Sequence, residues 1–398
     1  MGGAVTVPEI ELSEPEVVRD PFTAYGRVRE RSPLGVTTIP GIGRVWVLTR
    51  HEGARAMLGD PRFEIRTDSF IRPDVPADCL PYLRTMSEMN GPEHKRLRAL
   101  VAPAFSVRRA EEFRPRIEPI VARLLDELPG RVEDGSVDLF AHVMRPLPMD
   151  VICELVGIPE SDRPRWREYG AAVAAGSGPG FAAAVPGIVA DAKAAIARRR
   201  AESGDDLLGD LVRAQAEDGD RLTDAEMVTL VWHLVIAGQT PTNFIANAVA
   251  ALLSHPDQLA ALRADTTLLS PAVDELIRWC GPALLTIPRF AREDVELSGE
   301  AVHKGEAAMA SVAAVNRDPR AFADPDRLDV RRTGRSGHLG FGHGPHFCLG
   351  SAVARVQTEV ALAALLRRFP DLAPAADLAE VRAPDPGTWR LTALPVTL

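Results

Sequence analysis

The chain has 398 residues, a net charge of -9, and 46% hydrophobic and 25% charged residues. These values are typical of a soluble globular protein, and the acidic balance argues against a general nucleic-acid-binding protein. The four cysteines are far apart and form no CxxC pair, which argues against a disulfide scaffold and a zinc ribbon. We find no apolar leader core and no uncharged apolar run long enough to span a membrane, so we expect a cytoplasmic protein without a membrane anchor.

The predicted elements, in chain order, are mostly helices. Residues 34–50 form short extended segments interrupted by glycine and proline. From residue 93 onward, apolar residues recur at helical spacing. Residues 222–256 are almost entirely apolar, so we expect them to form a long central helix.

The character of the chain changes after Gly281, where residues 286–319 read as strands and turns. A coil rich in proline and arginine follows, then a helix from about residue 350 to 369. Residues 387–398 read as a closing pair of strands. We therefore expect one mainly α domain with a minor β region over residues 1–398, with residues 1–20 as a flexible N-terminal segment.

Residues 338–350, HLGFGHGPHFCLG, place Cys348 just before a predicted helix in a loop with four glycines. The partial positive charge at a helix N-terminus favours a thiolate over a thiol. Gly342, Gly344 and Gly350 allow backbone amides to approach the sulfur and donate hydrogen bonds to it. Taken alone, such a cysteine is more often structural, and the three histidines of the loop leave a metal site open.

The spacing Phe341-Gly342-x-Gly344-x-His346-x-Cys348-x-Gly350 resembles the haem-ligand loop of the cytochrome P450 superfamily. The resemblance extends from about residue 21 to the C-terminus. It implies a P450-like fold with a single haem b buried between the long central helix and the helix after the cysteine loop. It also implies that the Cys348 thiolate is the axial ligand of the iron, and the chain is most similar to the soluble bacterial members.

Two further motifs support the resemblance. Glu275 and Arg278 match the family's E-x-x-R helix, and their spacing puts them on one face where they can form an ion pair. Arg327 in FADPDRLD matches the arginine that completes the family's buried charge cluster. A buried carboxylate needs such partners, so we interpret these three residues as structural.

The resemblance also assigns residues to the haem. Its propionates are anionic and need a basic pocket, for which His94, Arg98, Arg289 and His346 are the candidates. His94 and Arg98 are four residues apart and face the same side of a helix. The other expected haem contacts are Phe341, Gly342, Gly350 and Ala237.

The central helix departs from the family pattern. Members usually carry Ala-Gly-x-acid-Thr, whose acid and threonine relay protons to dioxygen, whereas residues 237–242 here read AGQTPT. One alignment puts Thr240 in the acid position and Pro241 in the threonine position. The other puts Gln239 and Thr240 there, and we favour it because it keeps an alcohol at the oxygen site. The candidate catalytic residues are Gln239, Thr240 and Thr242.

Pro241 has no N–H group with which to bond the carbonyl of Ala237. We therefore expect a kink in the central helix and a free carbonyl that can hold a water molecule. The kink is either a feature of the fold alone or a sign of altered proton delivery, in which water, Thr240, Gln239 or the substrate replaces the acid.

The resemblance places the substrate between the loop before the propionate helix, the mid-chain helices over residues 170–188, the central helix and the segment after E-x-x-R. We expect a bulky, mainly apolar secondary metabolite, oxidised by hydroxylation, epoxidation or radical coupling, as of a cyclic dipeptide or aromatic natural product. The candidate pocket residues are Ile65, Met86, Val235, Ile236, Leu284, Leu285 and Ile287.

The expected partners are dioxygen and a separate ferredoxin with its reductase, because the chain has no second cysteine cluster and no fused flavin module. We expect a monomer, with a basic docking patch of Lys95, Arg96, Arg332 and Arg335.

Three alternatives stay open. The first is a peroxide-driven haem-thiolate enzyme, although the arginine usual in such relatives is absent. The second is a non-catalytic haem protein that senses or recruits. The third is a zinc hydrolase built on His338, His343 and His346, of which the resemblance gives only His346 a role.

Overall fold

The computed structural model of the chain describes residues 7–70, 74–174, 179–218, 222–333 and 337–398. Helices dominate these residues, and the predicted mainly α fold with a minor β region is confirmed. The helices are α1 Pro15–Arg19, α2 Pro21–Arg31, α3 His51–Gly59, α4 Gly91–Val101, α5 Val107–Glu127, α6 Pro146–Val156, α7 Arg163–Ala174, α8 Pro179–Ala201, α9 Leu207–Glu217, α10 Asp224–Ala237, α11 Pro241–Leu253, α12 Pro256–Ala264, α13 Leu269–Cys280, α14 Val312–Val315 and α15 Ser351–Arg368. The strands are β1 Leu34–Ile39, β2 Gly43–Leu48, β3 Phe63–Glu64, β4 Val137–Asp138, β5 Arg289–Ala291, β6 Val295–Leu297, β7 Glu300–Val302, β8 Ala307–Ala310, β9 Ala373–Pro374 and β10 Pro395–Thr397.

The chain divides into two compact units, each assembled from three separate stretches of sequence. The expectation of a single domain stays a prediction. The first unit comprises Met1–Phe70, Ala246–Cys348 and Ala373–Leu394, and the second comprises Ile71–Ile245, Leu349–Leu372 and Pro395–Leu398.

The first unit is built around a five-stranded sheet of order β1-β2-β8-β5-β3, in which β2 and β8 are parallel and the other pairs antiparallel. Successive side chains of a strand point to opposite faces. Trp46 and Leu48 of β2 accordingly belong to one buried apolar cluster, and Val45 and Val47 to another. The sheet is therefore covered on both faces.

The N-terminal segment packs onto this sheet. Ile10 donates its N–H to the carbonyl of Val36 at 2.7 Å, and Val36 donates to Pro8 at 2.9 Å. Ile10 and Val17 are buried. The expectation of a flexible segment over residues 1–20 is therefore wrong for residues 8–19, while residues 1–6 lie outside the described residues.

The second unit is mainly helical. Helix α5 packs against α6 and α15, and α10 packs against α6, α7 and α8. A Cβ atom added to Gly238, at the end of α10, would lie 2.5 Å from the Cβ of Ile152 in α6. The absence of a side chain at Gly238 therefore lets the end of α10 approach α6 closely.

Helix α8 is the one long apolar helix among the described residues. By length and composition, its residues Gly180–Ala201 could cross a membrane. A single helix of this kind is weak evidence, since core helices of soluble proteins share these properties. The helix carries Asp191 and Lys193 in its middle and packs against α7, α9 and α10.

The C-terminal tail does not form the closing strand pair that we expected. Its one strand in the described residues, β10, pairs with β4 in antiparallel fashion. The preceding residues bond to the segment after α13 instead: Trp389 donates to the carbonyl of Pro282 at 2.7 Å, and Leu284 donates to Gly387 at 3.0 Å. Residues 390–392 pair in antiparallel fashion with residues 381–383, where Ala383 donates to the carbonyl of Arg390 at 3.1 Å and Thr392 donates to that of Val381 at 2.8 Å, so the tail pairs with earlier segments rather than within residues 387–398.

Candidate functional site

The cysteine loop presents the side chain of Cys348 at the surface of the first unit, whereas the other three cysteines are buried. The Cys348 N–H donates to the carbonyl of Phe341 at 2.8 Å and so closes the loop. Gly342 and Gly344 have φ values of +72° and +73°, which other residues rarely adopt. Gly350 is the N-cap residue of α15, so the thiol lies just before a helix N-terminus, as the sequence predicts.

The loop rests on the C-terminal end of α3. A Cβ atom on Gly344 would lie 2.5 Å from the carbonyl oxygen of Leu58. The same oxygen accepts a hydrogen bond from Nη1 of Arg289 in β5 at 2.6 Å. Leu58 therefore contacts both the cysteine loop and Arg289, a junction that no sequence motif indicates.

Arg289 is a buried cation, 5% exposed, and burial lowers its pKa to about 10. It remains charged at neutral pH. Within the part of the chain that the structure describes, no carboxylate forms an ion pair with it. A buried charge needs compensation, so the site beside the cysteine loop fits an anionic group such as a haem propionate.

His94 and Arg98 lie on one face of α4 in the second unit, as their spacing predicts. His94 is buried, and its pKa is lowered first by burial and second by the charge of Arg98. His346 lies half-buried in the first unit, in the turn Gly344–His346 of the cysteine loop. The haem contacts assigned to these three residues stay predictions.

The buried charge cluster of the first unit contains Glu275 and Arg278, joined by hydrogen bonds of 2.7 and 2.8 Å. Its third member is Arg332, whose Nε donates to Glu275 at 3.0 Å. The assignment of Arg327 to this cluster is wrong. The side chain of Arg327 is exposed, and only its carbonyl takes part, accepting from Arg278 and Arg332.

The charge cluster is linked to the cysteine loop through Asn316. Arg278 donates to the Asn316 carbonyl at 2.8 Å, and the Asn316 side-chain oxygen accepts the N–H of Leu339 at 2.7 Å. A Cβ atom on Gly340 would lie 2.5 Å from Ile277 of α13. Helix α13 therefore positions the start of the loop, and the sequence gives no signal for Asn316.

The central helix is broken rather than kinked. Helix α10 ends at Ala237 and α11 begins at Pro241, where proline is favoured as a first helical residue. The carbonyl of Ala237 accepts the N–H of Thr240 at 3.1 Å. The expectation of a free carbonyl at Ala237 is therefore wrong, because the intervening turn satisfies it.

The three candidate catalytic side chains lie in different surroundings. Thr240 is exposed. Thr242 is 5% exposed, and Gln239 packs its carboxamide against Gly170 of α7. Neither the Thr242 hydroxyl nor the Gln239 Oε1 has a hydrogen-bond partner among the described residues. Of the three residues, Thr240 is the most exposed.

The predicted pocket residues also divide by exposure. Val235 and Leu284 are completely buried, and the assignment of the seven residues to the pocket stays a prediction. Ile65 and Met86 are buried as well, whereas Ile236, Leu285 and Ile287 are partly or fully exposed.

The basic docking patch does not have the composition that we predicted. Arg332 belongs to the buried charge cluster, and Arg96 pairs with Glu226 of α10, which raises the pKa of Arg96. Lys95 is exposed, and Arg335 lies outside the described residues.

The zinc alternative gains no support from the geometry. His338 lies 3.4 Å from the carboxylate of Asp274 in α13. Across residues 7–70, 74–174, 179–218, 222–333 and 337–398, no three His, Cys, Asp or Glu side chains are grouped as metal ligands.

Comparisons with known proteins agree with the family resemblance of the cysteine loop. The family model described as Cytochrome P450 matches residues 187–377. The cytochrome P450 monooxygenase PikC of Streptomyces venezuelae is 40% identical over 99% of this chain and 95% of its own length. The 6-deoxyerythronolide B hydroxylase of Saccharopolyspora erythraea is 37% identical over 98% and 96%. The solved structure of the bacillaene polyketide synthase cytochrome P450 PksS of Bacillus subtilis superposes with a TM-score of 0.88 at 30% identity, covering 98% of this chain and 99% of that one.

Proposed function

Because the chain belongs to the cytochrome P450 superfamily, whose members bind haem b through a cysteine thiolate, we propose that Cys348 is its iron ligand. The exposed Cys348 thiol, in a glycine loop before α15, is the observation that carries this proposal. The relatives are monooxygenases and hydroxylases, and this chain is an oxidoreductase of the same type. We further propose a bulky, mainly apolar secondary metabolite as substrate.

The residues of the chain suit the haem that this proposal requires. Arg289 would compensate one propionate charge, and His94, Arg98 and His346 are the further basic residues that we propose as propionate contacts. When bound, haem b activates dioxygen so that one oxygen atom enters the substrate and the other leaves as water, with two electrons and two protons supplied.

Thr240 is the residue that we propose for proton delivery. It is exposed at the break between α10 and α11, whereas Thr242 is buried. Thr240→Ala should lower the product formed per NADPH consumed several-fold and raise hydrogen peroxide release, because an alcohol no longer holds the proton near dioxygen. Thr242→Ala is the matched control and should leave this ratio unchanged. Equal ratios in both variants would remove Thr240 from the mechanism.

The test of the haem-thiolate assignment is optical. Reduced protein with carbon monoxide should show the strongly red-shifted Soret band of a thiolate-ligated haem, and Cys348→His should lose the shift while keeping haem. Cys280→Ala, at a buried cysteine of α13, is the control and should keep the band. A parent protein without haem would overturn the proposal.

The electron source separates the remaining alternatives. We propose ferredoxin and a reductase as donors, so turnover should require both proteins, NADPH and dioxygen. Product formed with hydrogen peroxide alone would favour the peroxide-driven enzyme. Haem binding without turnover of any substrate in either system would favour the non-catalytic protein. Hydroxylation and coupling are distinguished by the mass of the product, which gains one oxygen atom only in the first case.

A further inference from the structure

One face of α10 borders an open space along the last turns of the helix. Among residues 231–237, the more exposed residues recur at positions i, i+3 and i+4, which share one helix face, while the other residues are buried. The more exposed set is His233, Ile236 and Ala237, and the buried set includes Trp232, Leu234 and Val235; the exposed Thr240 follows in the turn after the helix.

His233 is the only imidazole on this face, and its hydrogen bonding is incomplete. Its Nε2 lies 3.4 Å from the hydroxyl of Ser87, a long contact. Its Nδ1 is buried and has no partner among the described residues. A buried polar atom left unpaired costs about 1–3 kcal/mol, so this arrangement is explained if a ligand supplies the missing bond.

The imidazole is uncharged under physiological conditions. Burial alone lowers the pKa of His233 to about 4, with no contribution from a neighbouring charge. A neutral imidazole offers one donor and one acceptor nitrogen. It suits a hydroxyl, which can donate or accept, better than a carboxylate or an ammonium group.

Ser87 is held next to α10 by other contacts of its segment. Trp232 donates its Nε1–H to the carbonyl of Tyr82 at 2.9 Å, and Thr229 donates its hydroxyl to the same oxygen at 3.2 Å. Met86 and Met89 near Ser87 are apolar and buried, while the adjacent Glu88 is buried and accepts the N–H of Thr85. The Ser87–His233 pair thus joins two segments that other hydrogen bonds already hold together.

We propose that His233 and Ser87 form a specificity subsite that binds a neutral hydroxyl group of the substrate. The subsite lies four residues, or about 6 Å, along α10 from Ala237, where the helix ends before the turn that holds Thr240, so the recognised hydroxyl is remote from the carbon that is oxidised. The inference rests on the proposed function and adds a polar group to an otherwise apolar substrate class.

The test uses 1-alkylimidazoles and 1-(ω-hydroxyalkyl)imidazoles with chains of four to ten carbons as probes. The imidazole nitrogen binds the haem iron and shifts the Soret band, so Kd is read from the spectrum. In the parent protein the hydroxyl should tighten binding about three- to tenfold at one chain length, as expected of one hydrogen bond. In His233→Phe this gain should vanish while the plain alkyl probes bind as before, and Ser87→Ala should reduce the gain.

The outcomes distinguish failure of the hydroxyl subsite from failure of the proposed function. A hydroxyl gain of equal size in the parent and His233→Phe, or no gain at any chain length in the parent, would overturn the subsite and leave the haem assignment intact. A parent without any Soret shift would instead refute the proposed function. Should His233→Phe fail to fold, Ser87→Ala and His233→Asn test the subsite instead. The subsite requires that Ser87→Ala lose part of the affinity gained from the probe hydroxyl, and that His233→Asn retain part of it.

Discussion

Glu275 is the residue on which the charge cluster of the first unit depends. It is 3% exposed and accepts hydrogen bonds from Arg278, from Arg332 and from the N–H of Asp329. Removing one partner of a buried ion pair leaves an uncompensated charge, which costs about 3–5 kcal/mol. Arg332→Ala keeps Glu275 paired with Arg278 and removes one charge-assisted hydrogen bond, so it should lower the free energy of unfolding by less, about 1–3 kcal/mol, measured by urea denaturation.

Arg327 provides the matched control for this prediction. Its exposed side chain takes no part in the cluster, and a mutation to alanine keeps the carbonyl that accepts from Arg278 and Arg332. Arg327→Ala should change the free energy of unfolding by no more than about 0.5 kcal/mol. Loss of stability in Arg327→Ala but not in Arg332→Ala would restore the sequence-based assignment.

Single residues were predictable where a motif fixes their spacing on a regular element. Glu275 and Arg278 pair because three residues of helix put them on one face, and Cys348 precedes α15 because the glycine pattern leads into it. Arg332 was assigned to the wrong site because residues 320–333 are irregular. Irregular backbone has no period that tells which of several arginines turns inward.

The cysteine loop and α3 meet so closely that a glycine is required between them. Gly344 has φ +73°, and a Cβ atom there would lie 2.5 Å from the Leu58 carbonyl that also holds Arg289. Gly344→Ala should destabilise the protein by about 1–2 kcal/mol for the left-handed backbone and by about 1–3 kcal/mol more for the clash. Urea denaturation measures the sum.

Gly305 separates these two contributions. It has φ +89° and open space around the position of an added Cβ atom. Gly305→Ala should therefore show only the backbone cost of about 1–2 kcal/mol. If Gly344→Ala and Gly305→Ala lowered the free energy of unfolding equally, the close contact between the cysteine loop and Leu58 would not constrain residue 344.

The helix break at Gly238 to Thr240 shows what an apolar pattern can and cannot predict. The pattern of residues 222–256 indicated one continuous helix, and both α10 and α11 were found within it. Proline at position 241 indicated a disturbance but not its form. The turn is determined by the hydrogen bond from Thr240 to Ala237 and by the close approach of Gly238 to Ile152, and the latter depends on tertiary packing.

At the scale of the whole molecule, helix content and strand regions followed from periodicity, but the division into two units did not. Each unit combines stretches that are distant in sequence, such as Met1–Phe70 with Ala246–Cys348. Local patterns carry no information on which distant stretches pack together. The two histidines that the fold buries in the second unit, His94 and His233, are one consequence of this packing.

Burial of these histidines makes the stability of the molecule depend on pH. The pKa of His233 falls from 6.5 to about 4 in the folded chain, and that of His94 is lowered as well. The unfolded chain then binds more protons below pH 6.5, so the free energy of unfolding is highest above that pH and falls as the pH drops towards 4. At 1.36 kcal/mol per pH unit, His233 alone accounts for a loss of about 3 kcal/mol.

Substitution of His233 isolates its share of this loss. The difference in free energy of unfolding between the parent and His233→Phe, measured by urea denaturation from pH 7.5 to 4, should shift by about 3 kcal/mol in favour of the variant as the pH falls. The carboxylates titrate in both proteins and cancel in the difference. A constant difference between parent and His233→Phe would mean that the imidazole is not buried uncharged, and the hydroxyl subsite would lose its physical basis as well.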